Sequence, residues 1–354
     1  MRALTILLAL LAVTAAFGQE PPGFEPEPFS ETIFVVRYTL NIRVVDSFGN
    51  AIEDLKPEDF TVTVGKKPAH VEGADWTASG LRAIERQNEL RPDDERETPA
   101  ETPVELSEPR SIILFIQTDF ARNSMRILGQ MKFNFVADKI IDLFGPEDRV
   151  AVLSHDSHLK FRRDFTRDRK SLRKAVRESL FIDYPPLPPA ATDGPSILPL
   201  FDRTEMKRAA HAEAALLLIA KALHELEGPK VIILAGWGVG ELQGRAGVQL
   251  KPEWQDAVEI LRRDDVPVIS LNHGIGGELS FGLAATSAAT GGLYAGLQNF
   301  DTQAVTRVKG ALAGHYALTL RIDDLLKPGR YPLNIRVNRR GLEVQAPAFV
   351  VHGQ

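Results

Sequence analysis

The sequence contains no cysteine in its 354 residues. Disulfides, thiol nucleophiles and a lipid anchor on cysteine are therefore excluded. Lysine and arginine form no strongly basic block and the net charge is −5, which argues against a nucleic-acid-binding protein. The G-x-S-x-G and H-E-x-x-H motifs of common hydrolases and zinc proteases are absent as well. Stability must come from hydrophobic cores of ordinary size.

Long hydrophobic runs are also missing, apart from one at the N-terminus. Arg2 precedes the apolar stretch Leu4–Val13, and Ala16 and Gly18 are small residues at the two positions that a signal peptidase reads. The stretch is too short to span a membrane. We therefore predict a signal peptide over residues 1–18 and an exported protein, periplasmic or extracellular. A retained N-terminal anchor is the alternative, and the sequence does not decide whether the peptide is cleaved.

The remaining chain changes its pattern three times. Period-two alternation at both ends predicts strands, a charged and proline-containing stretch predicts a linker, and alternating strand and helix patterns predict an α/β region. The predicted segments are a β segment over 19–77, a polar linker over 78–110, an α/β domain over 111–313 and a second β segment over 314–354.

Each β segment offers about three short strands, too few to bury a core alone. We expect the N- and C-terminal segments to pair into one small β-sandwich, with the α/β domain inserted between them. Two independent β units remain the alternative.

Within residues 111–313, short apolar runs alternate with amphipathic stretches, the pattern of a mostly parallel, doubly wound sheet with helices on both faces. A helix over Ser124–Phe144 is expected to turn one apolar face inward. One unbroken helix is expected over Arg203–Leu226, and one unbroken strand over Leu342–Val351. The residues expected on the inward face of the first helix are Met125, Leu128, Met131, Phe135, Ile140 and Leu143.

The most informative turn follows the strand Ser111–Ile116. In an open α/β sheet, ligands bind outside the carboxyl ends of the strands, where this strand passes into a helix. The turn carries polar side chains at Gln117, Asp119, Asn123 and Ser124. These are candidates for a binding site.

Several segments resemble a known family. The Gly-Pro-Glu-Asp turn before Arg149-Val150-Ala151-Val152 looks like that of a von Willebrand factor A (VWFA) domain. The whole chain, over roughly residues 32–352, is similar to exported VWFA-related proteins found in Acidobacteria. The other segments that carry the likeness are VVDSFGNAI and LKPEDFTV near the N-terminus, DFTRD at 164–168, and HYAL at 315–318 with IRV and GLEV near the C-terminus.

The resemblance implies a metal-ion-dependent adhesion site with bound Mg²⁺, built from Asp-x-Ser-x-Ser, a later Thr and an Asp after the central buried strand. This chain has Gln117, Asp119 and Ala121 at the first three positions, and Gly236-Trp237-Gly238 after the strand Lys230–Ala235. One carboxylate beside an indole is a poor ligand set for a hard divalent cation. We therefore predict no metal and no cofactor, with residual Mg²⁺ binding as the alternative.

The loss of acidic ligands leaves a partner-binding role. We predict a non-enzymatic protein-binding or adhesion protein that uses the face formed by Gln117, Asp119, Asn123, Ser124 and Trp237 to bind an unidentified protein or peptide. No catalytic residue is assigned. Trp237 is either an anchor at the mouth of this face or packed under the proline-rich loop.

Two hypotheses of other classes stay open. An enzyme with an unrecognised polar site would require a concave pocket with at least two titratable side chains of perturbed pKa. A structural subunit of an envelope assembly would require a large hydrophobic interface.

Three weaker patterns favour ordinary structure. His155-Asp156-Ser157-His158 fits a hairpin tip better than a metal site, because nothing supplies further ligands. Gly236-x-Gly238-x-Gly240 lacks the helix and the acidic residue of a dinucleotide loop. The basic stretch Arg167–Arg177 is predicted to be a solvated helix face.

Overall fold

The computed structural model describes residues 35–80, 82–85, 108–118, 124–183, 191, 193–243, 247–274, 277–297, 301–323 and 326–353. The strands are β1 (Val36–Asp46), β2 (Phe60–Val64), β3 (Lys67–Ala78), β4 (Ser111–Gln117), β5 (Arg149–His155), β6 (Leu159–Thr166), β7 (Lys230–Gly236), β8 (Glu241–Leu242), β9 (Val248–Gln249), β10 (Val268–Asn272), β11 (Tyr294–Gly296), β12 (Gly314–Ile322), β13 (Gly329–Val337), β14 (Leu342–Gln345) and β15 (Phe349–His352). The helices are α1 (Ser124–Ile141), α2 (Arg169–Phe181), α3 (Arg203–Arg208), α4 (Ala212–His224), α5 (Pro252–Arg263), α6 (Ser280–Ala289) and α7 (Asp301–Ala313). The predicted signal peptide and most of the predicted linker lie outside the described residues.

A six-stranded sheet forms the centre of the α/β region, in the order β11-β10-β7-β4-β5-β6. All of its pairs are parallel except β5 with β6. The strands β4 and β7 are buried along their whole length, as expected for continuous apolar runs covered on both faces. The predicted mixed α/β fold with a mostly parallel sheet is confirmed.

Two hydrophobic cores flank this sheet. On one face, apolar side chains of α1, α2 and α7 pack against alternate residues of the strands. On the other face, α4, α5 and α6 pack against the residues between them. Helices therefore cover both faces, and they fix the carboxyl ends of β4, β7 and β10 side by side.

The strands of the two chain ends pair with each other in one seven-stranded sheet, in the order β14-β1-β12-β3-β2-β13-β15. The C-terminal strand β12 lies between the N-terminal strands β1 and β3 and is antiparallel to both. Tyr316 is fully buried there and its ring packs edge-on against Trp76 and Phe60. Because each end contributes strands that lie between strands of the other, neither end completes this sheet alone.

Two predicted elements are each divided in the structure. The stretch Arg203–Leu226 forms α3 and α4: α3 ends at Arg208 with Ala209 as its C-cap, and α4 begins after His211, whose Nδ1 accepts a hydrogen bond from the Ala214 N–H at 3.2 Å. The stretch Leu342–Val351 forms β14 and β15. Pro347 lies between them and cannot donate a ladder hydrogen bond.

The predicted inward face of α1 is right only near its C-terminal end. Ile140 is buried and Leu143 packs partly buried against the same core, as predicted, but Leu128, Met131 and Phe135 are exposed. The other apolar residues of α1 that are buried are Phe133, Val136, Ala137 and Ile141. Apolar residues occur on nearly every side of this helix, so their spacing does not select one face.

Candidate functional site at the carboxyl ends of the central strands

The candidate site lies where β4, β7 and β10 end next to one another. Gln117 is the last residue of β4, and Trp237 directly follows β7. Both predicted residues therefore lie at the same edge of the sheet. Ser124 begins α1, whereas Asp119 and Asn123 lie outside the described residues.

Gln117 is 3% exposed, and its side-chain amide is bonded to the loop after β7. Its Oε1 accepts hydrogen bonds from the backbone N–H groups of Trp237 (2.9 Å) and Gly238 (3.2 Å), and its Nε2 donates to the Gly238 carbonyl at 2.7 Å. Both lone pairs of the amide oxygen are thus used within the protein. Gln117 therefore joins the end of β4 to the loop after β7.

Close packing of this loop requires glycine. A Cβ on Gly236 would overlap the side-chain amide of Gln117, and a Cβ on Gly238 would overlap Leu279. Gly240 has a φ of +102°, which favours glycine for a different reason. After β7 the chain continues into β8, so these glycines serve loop packing and do not begin a helix that could bind a pyrophosphate.

Trp237 is half-buried beside a histidine that the sequence analysis did not single out. Its indole packs edge-on against the His273 ring, with the centroids 5.8 Å apart. The backbone N–H of His273 donates to the Gly236 carbonyl at 2.9 Å. The partly exposed indole is compatible with an anchoring role, which remains a prediction; residues 184–190 of the proline-rich loop lie outside the described residues.

His273 is fully buried, and neither of its ring nitrogens has a hydrogen-bond partner of good geometry. Burial lowers its pKa to about 4, although the nearby Gln117 backbone opposes this shift. The Thr118 hydroxyl and the Gln130 Nε2 are likewise buried without a partner. No local motif marks these three residues, because strands and helices far apart in sequence bring them to this edge.

The described residues do not fit the Mg²⁺ site that the family resemblance implies. The Gln117 oxygen, at the position of the first acidic ligand, already accepts two backbone hydrogen bonds. Trp237 offers no oxygen ligand at the position of the later Asp. Over the ranges given above, no cluster of three His, Asp or Glu side chains could hold a metal ion. The loop positions Asp119–Asn123 lie outside those ranges.

The His155–His158 segment does not bring metal ligands together. His155 is buried, its Nε2 lies 3.0 Å from the Ala209 carbonyl, and burial lowers its pKa to about 4. Asp156 instead pairs with Lys160 at 2.9 Å. His155 and Asp156 therefore contact different neighbours and do not form a shared set of metal ligands.

A cavity of about 440 Å³ lies at the opposite edge of the central sheet, next to β1, β3 and β12. It holds titratable groups, as the enzyme hypothesis requires: burial raises the pKa of Asp265 and lowers that of His315 to about 4. Its arginines are used structurally, however. Arg43 donates to the Ala311 carbonyl (3.0 Å) and Arg110 to the Leu312 carbonyl (2.7 Å), at the C-terminus of α7. Among the described residues that line the cavity, neither the Thr77 nor the Ser79 hydroxyl is hydrogen-bonded to a histidine or a carboxylate.

Comparison with known proteins gives a likeness of shape and no match in sequence. No family model and no curated protein matches the chain. Among solved structures, a von Willebrand factor type A protein from Catenulispora acidiphila is similar at 10% identity and a TM-score of 0.41, over 92% of this chain and 75% of that one.

Two further structures match the chain over a shorter region. BatB from Bacteroides thetaiotaomicron is 17% identical with a TM-score of 0.35, over 56% of this chain and 96% of its own. Proximal thread matrix protein 1 from the mussel byssus is 14% identical with a TM-score of 0.38, over 60% of this chain. This chain spans about half the length of the byssus protein, 48%. Similarities this distant do not assign an activity.

Proposed function

We propose that the protein is an exported, non-enzymatic binding or adhesion protein of the VWFA-related kind, and that it binds a protein or peptide without a metal. The binding face would be the carboxyl-end edge of the central sheet, formed by Gln117, Asp119, Asn123, Ser124 and Trp237. One observation carries the proposal: the Gln117 amide takes up three hydrogen bonds of the loop after β7. These bonds hold the loop in place where a bound cation would otherwise be needed.

Trp237 is the proposed anchor of this face. An indole contributes a large contact area and a polar N–H, and such residues are common at the centres of protein interfaces. Here Gln117 fixes its backbone and His273 supports its ring. A side chain held this way loses little conformational freedom when a partner binds.

The rest of the chain is assigned a supporting role. We propose that residues 1–18 direct export and that the seven-stranded sheet closes into a β-sandwich that carries the inserted α/β domain. Over the residues described above, no helix is long and apolar enough to cross a membrane.

The test is a capture experiment with the full chain immobilised and a library of extracellular proteins and peptides as prey. Binding should survive EDTA and should fall strongly in W237A. The matched control is W254A, because Trp254 is also partly buried, donates its indole N–H to Thr286 at 2.9 Å, and is not one of the five residues of the proposed face. Capture that requires Mg²⁺, or that W237A leaves unchanged, would refute the proposal.

A further inference from the structure

The surface of helices α1 and α2 combines exposed apolar side chains with positive charge. Phe135 is 72% exposed and Phe181 is 62% exposed, unusually high values for large aromatic residues. Five of the exposed large apolar residues belong to this surface, and we call them the apolar tip: Leu128, Met131, Phe135, Phe181 and Ile182.

The pairing of the two helices brings these residues together. Arg169 at the start of α2 donates to the Gly145 carbonyl (3.1 Å) just beyond the end of α1, while Arg177 contacts Asp138 (3.4 Å) further back along α1. The helices are therefore antiparallel. One turn beyond Arg177, Phe181 reaches the level of Phe135.

Both helices pack on the same face of the central sheet through one hydrophobic core. Because α1 begins after β4 and α2 runs antiparallel to it, the apolar tip lies towards the carboxyl ends of the strands. The apolar tip therefore lies on the outer surface of the two helices, at the same end of the sheet as the candidate site, and shares no residue with that site.

A row of positive charge continues from the tip along α2. Lys170, Lys174 and Arg177 are exposed at spacings of four and three residues and lead up to Phe181. We call these three cations the basic band. The helix α2 carries five basic residues and one acidic residue, and α1 carries three basic residues and one acidic residue. The chain as a whole has a net charge of −5.

From this arrangement we infer that the apolar tip and the basic band dock the protein on a membrane surface rich in anionic lipid. The aromatic and aliphatic side chains would enter the boundary between headgroups and acyl chains, and the cations would lie at the level of the lipid phosphates. Charge complementarity favours an anionic surface over a neutral one. Protruding apolar side chains also favour lipid over a soluble polyanion, which would need the cations alone.

The test is co-sedimentation of the full chain with vesicles of phosphatidylcholine, with and without phosphatidylglycerol. We expect binding to the anionic vesicles that weakens as salt is raised. F135A/F181A should reduce this binding by roughly tenfold or more, because two buried aromatic contacts are lost. The charge reversal K170E/K174E should weaken binding to the anionic vesicles more at low salt than at high salt.

Two control variants test whether removing an exposed phenylalanine, or reversing two lysine charges, elsewhere on the surface also weakens vesicle binding. Phe281 on α6 is 69% exposed and lies on the other side of the sheet, so F281A should bind anionic vesicles like the unchanged protein. The exposed pair Lys66 and Lys221 supplies a charge control, K66E/K221E. All variants retain residues 1–18, so any lipid affinity of that segment is the same in each.

Three results would overturn the inference. The first is absence of binding to anionic vesicles. The second is equal binding by F135A/F181A and F281A, which would place the contact elsewhere, including the N-terminal apolar stretch. The third is loss of binding in K170E/K174E alone, together with equal affinity for a soluble polyanion such as heparin, which would identify a purely electrostatic surface.

Discussion

At the scale of single residues, the shape of the candidate site depends on Gln117. Its position after a buried strand, and the missing acidic residues around it, were evident in the sequence. The hydrogen bonds of its side-chain amide could not be predicted, because its partners are backbone groups of residues more than a hundred positions away. His273 escaped notice for the same reason: no short motif surrounds it.

The tight contact between Gln117 and Gly236 gives a prediction by double mutation. G236A should destabilise the protein by about 2 kcal/mol, because its Cβ overlaps the Gln117 amide. Q117A should cost about 2 kcal/mol by leaving buried backbone groups of Trp237 and Gly238 without partners. In Q117A/G236A the overlap is absent, so the combined cost should fall below the sum by about 1 kcal/mol.

Denaturant unfolding of the four proteins measures this coupling. G296A is the control, since a Cβ there meets open space. Strictly additive costs would mean that the two residues do not share the contact described here.

The buried imidazole of His273 predicts loss of stability in acid. Its pKa is lowered from 6.5 to about 4 in the folded protein, so the unfolded chain takes up the proton first. Its contribution is intact above pH 6.5 and is lost as the pH falls towards 4. The loss is on the order of 3 kcal/mol at about 1.4 kcal/mol per pKa unit.

H273F removes this titration while keeping an aromatic ring against Trp237. The free energy of unfolding should then depend less steeply on pH between 6.5 and 4. H70F, at an exposed position, should keep the original slope. An unchanged slope in H273F would show that His273 is not buried in its neutral form.

At the scale of elements, the sequence was most informative where one signal dominated. The strands β4 and β7 are short, continuous apolar runs, and the predicted strands Ser111–Ile116 and Lys230–Ala235 each end one residue before the observed ones. The break between α3 and α4 was missed because a histidine cap leaves almost no trace in an alanine- and leucine-rich stretch. The inward face of α1 was partly misassigned because the residues of the apolar tip look like core residues in sequence.

The junction of three elements gives a prediction at this scale. Arg110, just before β4, forms a buried pair with Asp148 before β5 (2.6 Å) and donates to the C-terminus of α7. Burial raises the pKa of Asp148, but the hydrogen bonds and charge of Arg110 outweigh this and lower it. R110A leaves a buried carboxylate without its cation and should cost about 3–5 kcal/mol.

Thermal and denaturant unfolding check this cost, with R110K as the matched variant that keeps the charge but loses the paired geometry. R110K should lie between R110A and the unchanged protein. A cost for R110A below about 1 kcal/mol, the range of exposed pairs, would contradict the buried pairing.

At the scale of the whole molecule, the strands of the two chain ends share one seven-stranded sheet. That this sheet closes into a β-sandwich carrying the inserted α/β domain remains a prediction, based on the small burial that each end offers alone. The interleaving of β12 between β1 and β3 could not be foreseen, since strand order depends on contacts across more than two hundred residues. The domain limits drawn from composition remain predictions.

The central claim is that this face keeps its shape through the Gln117 amide and without a cation. The most direct measurement is isothermal titration of Mg²⁺ and of Mn²⁺ into the full chain, with D119A titrated in parallel. We expect no saturable binding of either ion up to millimolar concentration, the same result in D119A, and a melting temperature that EDTA does not change. Saturable binding that disappears in D119A would contradict the claim that this face keeps its shape without a cation.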